Sequence, residues 1–143
     1  MGQKVNPHGF RVGVIKDWDS RWYARNDKVG NLIVEDYKIR EYLKKTLYSA
    51  GIPNIEIERD SANVRIFIHC SRPGVVIGKG GAEIERLRKE VEKMIGKPVA
   101  ISIIEVRTPD TNAQLVAENI AQQLERRIGF RRAMKNAIGR TMR

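Results

Sequence analysis

Val76-Ile77-Gly78-Lys79-Gly80-Gly81 joins two segments of different pattern. A short apolar segment, Pro73 to Ile77, leads into it, and a strongly patterned helix is predicted from Ala82 onward. Glycines without side chains let a phosphate backbone approach the main chain closely. The free N–H groups at the start of the following helix attract anions, and Lys79 adds a mobile positive charge. A Gly-x-x-Gly turn between two helices, flanked by strands, can clamp about four nucleotides of single strand. For the loop taken alone, a solvated helix–turn–helix corner is the plain alternative.

Two other glycine-loop chemistries fail on spacing. Gly74-Val75-Val76-Ile77-Gly78-Lys79 is one residue short of a nucleotide-binding P-loop, and Gly80 stands where a hydroxyl would bind magnesium. Gly78 and Gly80 are spaced as in a dinucleotide fingerprint, but Glu83 occupies its third glycine position.

The 143 residues suffice for one good core or two small ones, and 41% hydrophobic content marks a globular chain. No apolar run approaches a membrane span, and the N-terminus lacks a hydrophobic signal segment. Asn6 is neither Ser nor Thr, which argues against myristoylation after Met1-Gly2. Cys70 is the only cysteine, so internal disulfides and a cysteine zinc cluster are excluded, and it reads as a small buried residue ending a strand. A cytosolic location is the simplest inference. The net charge of +10 points to a polyanionic partner, nucleic acid before membrane. That charge is uneven. Residues 31–70 carry six basic and six acidic groups, whereas residues 126–143 carry seven basic residues and no acid.

Residues 1–30 lack a sustained period and read as an arm. Phe10, Trp18, Trp22 and Tyr23 are interleaved with Arg11, Lys16, Arg21 and Arg25. Aromatic faces and guanidinium planes stack on unpaired bases, while the competing role for the tryptophans is to pin the arm onto the domain. Lys4, Phe10, Arg11, Arg21, Trp22 and Arg25 are the arm's candidate RNA or protein contacts.

A helix is predicted from Asp36, as N-cap, to Ala50, with Ile39, Leu43 and Leu47 on one face. Ile55 to Glu58 and Val64 to Ile68 alternate as two strands of an antiparallel hairpin. The short helix from Pro73, the loop, and a helix from Ala82 to Ile95 follow, the last with Ile84, Leu87, Val91 and Met94 on one side. Glu83 and Glu85 suit that helix's dipole but oppose a phosphate at the same end. Val99 to Ile104 is a third strand, apolar enough to lie centrally.

The order helix, strand, strand, helix, helix, strand around a Gly-x-x-Gly resembles a type II KH domain. The predicted class is therefore α+β: an extended basic arm at 1–30, a type II KH domain at 31–108, and a helical extension at 109–143. In that extension a helix from Ala113 to Ile128 carries Val116, Ala117, Ile120, Leu124 and Ile128 on one stripe. Gly129 ends it, Phe130 is the expected hinge anchor, and Met134, Ala137 and Ile138 share one side of a last helix. Arg131, Arg132 and Lys135 share another, with no acid nearby to balance them.

Met1-Gly2-Gln3-Lys4-Val5-Asn6-Pro7-His8-Gly9-Phe10-Arg11-Val12-Gly13 resembles the opening of the family of the third protein of the bacterial small ribosomal subunit. Trp18, Ser20-Arg21-Trp22-Tyr23-Ala24, Arg72-Pro73-Gly74, Val76 to Gly81 and Phe130 to Lys135 agree with it, so the resemblance covers essentially the whole chain. It implies a place in the head of the small subunit and binding to small-subunit ribosomal RNA. It implies contact with ribosomal proteins ten and fourteen, and a share in lining the messenger RNA entrance. Gly78, Lys79, Gly80 and Gly81 would form the RNA-binding loop, and Arg131, Arg132 and Lys135 would grip incoming messenger RNA. It also implies a second α/β domain following the Met142-Arg143 region, toward which 109–143 leads and which these residues do not contain.

A free-standing KH regulator of RNA is the competing reading, and the N-terminal motif argues against it. No enzyme is expected. His8 and His69 stand apart without cysteine or carboxylate partners in the sequence, so neither a catalytic constellation nor a metal or cofactor site emerges.

Overall fold

Alternation at 55–59 and 64–70 puts Ile55, Ile57, Val64, Ile66, Ile68 and Cys70 on one face of a pleated sheet, and all of them are buried. The computed structural model describes residues 2–143; Met1, where the N-terminal motif opens, lies outside them. The chain runs α1 (Pro7–Arg11), β1 (Ser20–Arg21), α2 (Asn26–Thr46), β2 (Ile55–Arg59), β3 (Val64–Cys70), α3 (Pro73–Ile77), α4 (Ala82–Ile95), β4 (Val99–Glu105), α5 (Ala113–Glu125) and α6 (Phe130–Thr141). One-turn 3-10 segments lie at Tyr48–Ala50, Lys79–Gly81 and Pro109–Thr111.

The sheet order is β1-β2-β3-β4. β2 and β3 are antiparallel with Ile57 opposite Ile66, as the alternation required. β4 runs parallel to β3 with Ile101 opposite Ile66, and β1 runs parallel to β2 with Ser20 opposite Ile57. Ile39 and Leu43 of α2, Val76 of α3, and Leu87 and Val91 of α4 cover one face of the sheet, giving a two-layer α+β core of the type II KH kind. Each such side chain contributes about 1.5–3 kcal/mol by leaving water.

The structure departs from the sequence reading at identifiable points. α2 begins at Asn26, ten residues before Asp36, so Asp36 is not a cap but lies within the helix, 2% exposed. Half-buried Val29 and Leu32 continue the stripe of Ile39 and Leu43, and Asp36 occupies the stripe position between them. A charged residue there hid the helix's first half. β4 is an edge strand rather than a central one, and Ile104, in register with His69 on the open face of the sheet, is exposed. On α4, Ile95 packs against the core in place of Met94, which is exposed.

The extension also differs. α5 stops at Glu125 rather than Ile128. Arg127 takes a left-handed φ of 61°, its N–H donates to Leu124 O at 2.8 Å, and Ile128 N–H donates to Gln123 O at 3.0 Å. These are the paired bonds of a Schellman stop, with arginine where glycine is usual. Phe130 is exposed instead of anchoring the hinge. In α6 only Ala133 and Ala137 are buried, while Met134 and Ile138 face outward. Asn112 caps α5 through Gln114 N and Leu115 N, and Lys44 Nζ meets Glu118 Oε1 at 2.5 Å to tie α5 to α2. Among the described residues no helix is long and apolar enough to cross a membrane.

Candidate nucleic-acid interface

Pro73 opens α3, where its missing N–H costs nothing, and Gly78 ends it. Gly78 has φ 72° and ψ −176°, a backbone region that essentially only glycine occupies. A Cβ at Gly78 would lie 2.6 Å from Glu83 Cγ and 2.8 Å from Glu83 Cβ. Gly80, at φ 62° and ψ 18°, and Gly81, at φ 82°, face open space. Two glycines thus leave the outer side of the turn bare, and the third lets it pack against α4. No side chain caps α4, and the Ala82 N–H that opens it donates to the Lys79 carbonyl.

Lys79 is exposed and has no carboxylate partner among the described residues. The two acids that would oppose a phosphate are engaged: Glu83 pairs with Arg86 at 2.9 Å and Glu85 with Arg88 at 2.8 Å. Beside the loop, Val75 and Ile77 of α3 are exposed at 46% and 41%. Sequence reasoning missed them. Five residues are too few for a periodic pattern to reveal which side faces water. Together the turn can receive phosphates on backbone N–H groups and Lys79, with bases against the apolar side of α3.

Arg131, Arg132 and Lys135 are all exposed. At 3.6 residues per turn they fall away from Ala133 and Ala137, the side that packs inward. The Arg131 guanidinium lies over the Phe130 ring, 5.8 Å from its centroid. No acid lies in the first turn of α6, so Arg131 and Arg132 sit against the positive end of the helix dipole. This arrangement costs helix stability and concentrates positive potential outward. The cluster is carried on α6, whereas the glycine turn joins α3 to α4; the structure does not merge them into one pocket.

The arm divides into two sets. Lys4, Phe10, Arg11 and Arg25 are exposed. Arg21 instead meets Glu56 at 2.6 Å and Asp17 at 3.3 Å, and Trp22 turns inward to Asp36. Trp18 remains 62% exposed. Asp36 was not singled out as a site residue, yet it accepts from Ser20 Oγ at 2.9 Å, Trp22 Nε1 at 2.8 Å and Arg59 Nε at 2.8 Å. A lone acid on an apolar stripe was the available signal.

His69 Nε2 lies 3.1 Å from Glu56 Oε1 on the open face of the sheet. Burial pushes the Cys70 thiol pKa up; the Arg72 backbone N–H works against that rise and the Glu105 carboxylate adds to it. Among the described residues no three His, Cys, Asp or Glu side chains are grouped to hold a metal ion.

A mixed sheet under three helices, with an exposed Gly-x-x-Gly between the second and third of them, defines a KH-type nucleic-acid-binding module. The sequence pattern of the KH domain matches residues 38–111, and the chain belongs to the KH domain family. Over its full length it is similar to small ribosomal subunit protein uS3. It is 59% identical over 143 residues to that of Desulforamulus reducens and 64% identical over 143 residues to that of Lachnoclostridium phytofermentans, covering 100% of this chain and 65% of each relative. It is 61% identical over 144 residues to that of Clostridioides difficile, covering 100% of this chain and 53% of the relative. The chain thus spans about two-thirds of the length of the first two and about half that of the third.

Proposed function

We propose that the chain is an RNA-binding structural constituent of the small ribosomal subunit, acting in the cytoplasm within the ribosome and catalysing no reaction. Its KH unit binds small-subunit ribosomal RNA through Gly78, Lys79, Gly80 and Gly81. Arg131, Arg132 and Lys135 line the messenger RNA entrance and hold the single strand by charge. The work of strand opening comes from translocation, so no nucleotide site is required. Lys4, Phe10, Arg11 and Arg25 of the 1–30 arm serve RNA or the neighbouring ribosomal proteins ten and fourteen. Arg21 and Trp22 set the arm's course across the 31–108 domain, and 109–143 carries the messenger-facing helix.

The observation that carries this reading is the exposed glycine turn, bare on its outer side, with Lys79 free of carboxylates among the described residues. The likeness of the whole of this chain to part of uS3 supplies the ribosomal context. Two measurements test it. Sucrose-gradient sedimentation of the tagged chain from cells should show co-migration with small subunits that resists a moderate salt wash. Replacing Lys79 and Gly80 by Asp should weaken binding to single-stranded RNA, read by fluorescence anisotropy, with the thermal transition kept. Migration only at the top of the gradient would sink the ribosomal assignment, and unchanged affinity would remove the loop from the RNA site.

A further inference from the structure

We propose that the cleft between the end of α2 and helices α5 and α6 is a second RNA site, taking one nucleotide of a single strand. Its phosphate would rest on Arg72, Arg126 and Arg140, and its base against Tyr48. The cleft has a volume of about 510 Å³, within the range of pockets that enclose small organic ligands.

Its charges favour an anion. None of Arg72, Arg126 and Arg140 pairs with a carboxylate among the described residues, whereas Arg21 of the arm and Arg59, Arg86 and Arg88 of the KH unit all do. Arg72 donates to the Ser49 carbonyl at 3.4 Å and Arg140 to Asn119 Oδ1 at 3.1 Å. Both acceptors are neutral and leave the guanidinium charge uncompensated. Two acids also line the cleft. Glu118 is engaged by Lys44 at 2.5 Å and by Gln114 Nε2 at 2.8 Å, which leaves Asp110 as the opposing charge.

Its uncharged lining suits a base. Tyr48 is 45% exposed, and an aromatic face with guanidinium groups nearby is the general platform for an unpaired base. Asn119 and Gln122 add donors and acceptors for a base edge. Arg72 directly precedes α3 and Gly78 directly follows it. A helix of five residues is about 7.5 Å long, so the cleft and the glycine turn are separate sites close enough for one strand to visit both.

The test uses the whole chain and a fluorescent ten-nucleotide oligouridine, with anisotropy read across a salt series. The variant R126A/R140A should bind about tenfold more weakly, and its log–log salt slope should fall by about 0.7 for each phosphate that is no longer neutralised. Asp110→Asn should tighten binding by about two- to fivefold, the reverse of what a loss of packing would do. Photo-crosslinking of a 4-thiouridine oligomer should label the peptide containing Tyr48, and Tyr48→Leu should abolish that label. Millimolar uridine monophosphate that displaces the label would identify a free nucleotide as the occupant, and persistence of the label would identify the strand. Unchanged affinity and slope in R126A/R140A, with binding lost in K79D/G80D, would overturn the cleft and keep the loop. Tighter binding of polyglutamate than of RNA would also overturn it. A wild-type chain that binds no RNA would overturn both sites.

Discussion

The indole N–H of Trp22 donates to Oδ2 of Asp36 at 2.8 Å, joining the N-terminal arm to the middle of α2. The same carboxylate receives Arg59 from the end of β2 through Nε at 2.8 Å, and Ser20 Oγ from β1 at 2.9 Å. Arg40 adds a bond to Ser20 Oγ at 2.7 Å and one to the Asp19 carbonyl at 3.0 Å. One buried acid therefore fixes where the arm crosses the domain, and a satisfied buried charge makes that course specific.

Asp36→Ala leaves Arg59, whose side chain is 5% exposed, with Glu35 as its remaining carboxylate. Breaking a buried pair from one side should destabilise the chain by about 3–5 kcal/mol. Trp22→Phe keeps one aromatic ring, removes the pyrrole half with its N–H and so loses one charge-assisted bond, and should cost about 1.5–3 kcal/mol. Urea melts followed by circular dichroism check both values. A loss below about 1 kcal/mol for Asp36→Ala, far short of a broken buried pair, would mean that the carboxylate is not the anchor.

Gly78 and Gly80 both have positive φ, but their surroundings differ. Gly78→Ala meets the backbone-fixed Cβ of Glu83 at 2.8 Å as well as an unfavourable conformation, whereas Gly80→Ala meets nothing within 4 Å. Gly80→Ala should therefore cost about 1–2 kcal/mol for its left-handed backbone alone. Gly78→Ala should cost clearly more, and equal midpoints in urea would refute the packing argument.

At the Schellman stop, Arg127 holds a left-handed conformation without the freedom of glycine. Arg127→Gly should raise stability by about 1 kcal/mol, since it relieves the penalty of a left-handed L-residue. The same change removes a positive charge beside the α6 cluster, so RNA affinity should fall while the melting temperature rises.

Arg131 opposes the α6 dipole in a first turn that has no acid. Arg131→Glu should stabilise that helix by about 0.3–1 kcal/mol and yet weaken RNA binding strongly. Thermal melts and anisotropy on one sample separate the two effects. An Arg131→Glu chain with undiminished affinity would make the cluster a solvated face. For the triple alanine variant of Arg131, Arg132 and Lys135, the salt slope on single strands should fall by up to about 2.

Cys70 is fully buried, and its thiol pKa is raised above the ordinary value of 9.0, chiefly by burial. Between the unfolded and the folded pKa the native state keeps a proton that the unfolded state has lost, so stability falls as pH rises. This contribution is complete below about pH 9 and is lost above it. Wild type and Cys70→Ala should thus diverge in their pH dependence only on the alkaline side. Iodoacetamide should modify the native thiol no faster than the chain unfolds.

Much of the KH unit is legible in local pattern. Ile55 and Ile57, and Val64, Ile66 and Ile68, alternate as strands must, and all end in the core. α4 begins and ends at the expected residues because glycines and an unbroken period mark both limits. The glycine turn is readable for the same reason: its chemistry lies in consecutive residues. Where the reading failed, a local rule met a distant partner. Asp36 reads as a cap until Trp22, Ser20 and Arg59 supply its hydrogen bonds. Val99 to Ile104 reads as a central strand, yet its outer edge has no neighbour among the described residues.

Sequence alone determined the α+β class, the position and composition of the Gly-x-x-Gly turn, and the concentration of positive charge in residues 126–143. These depend on residue types at short spacings, which the backbone converts directly into faces and turns. Tertiary structure alone decided which tryptophan anchors the arm, which apolar residues of α6 stay outside, and that Arg72 shares a cleft with Arg126 and Arg140. Those outcomes depend on how elements far apart in the chain come to share space, because a buried charge and a lined cleft exist only once several elements have packed.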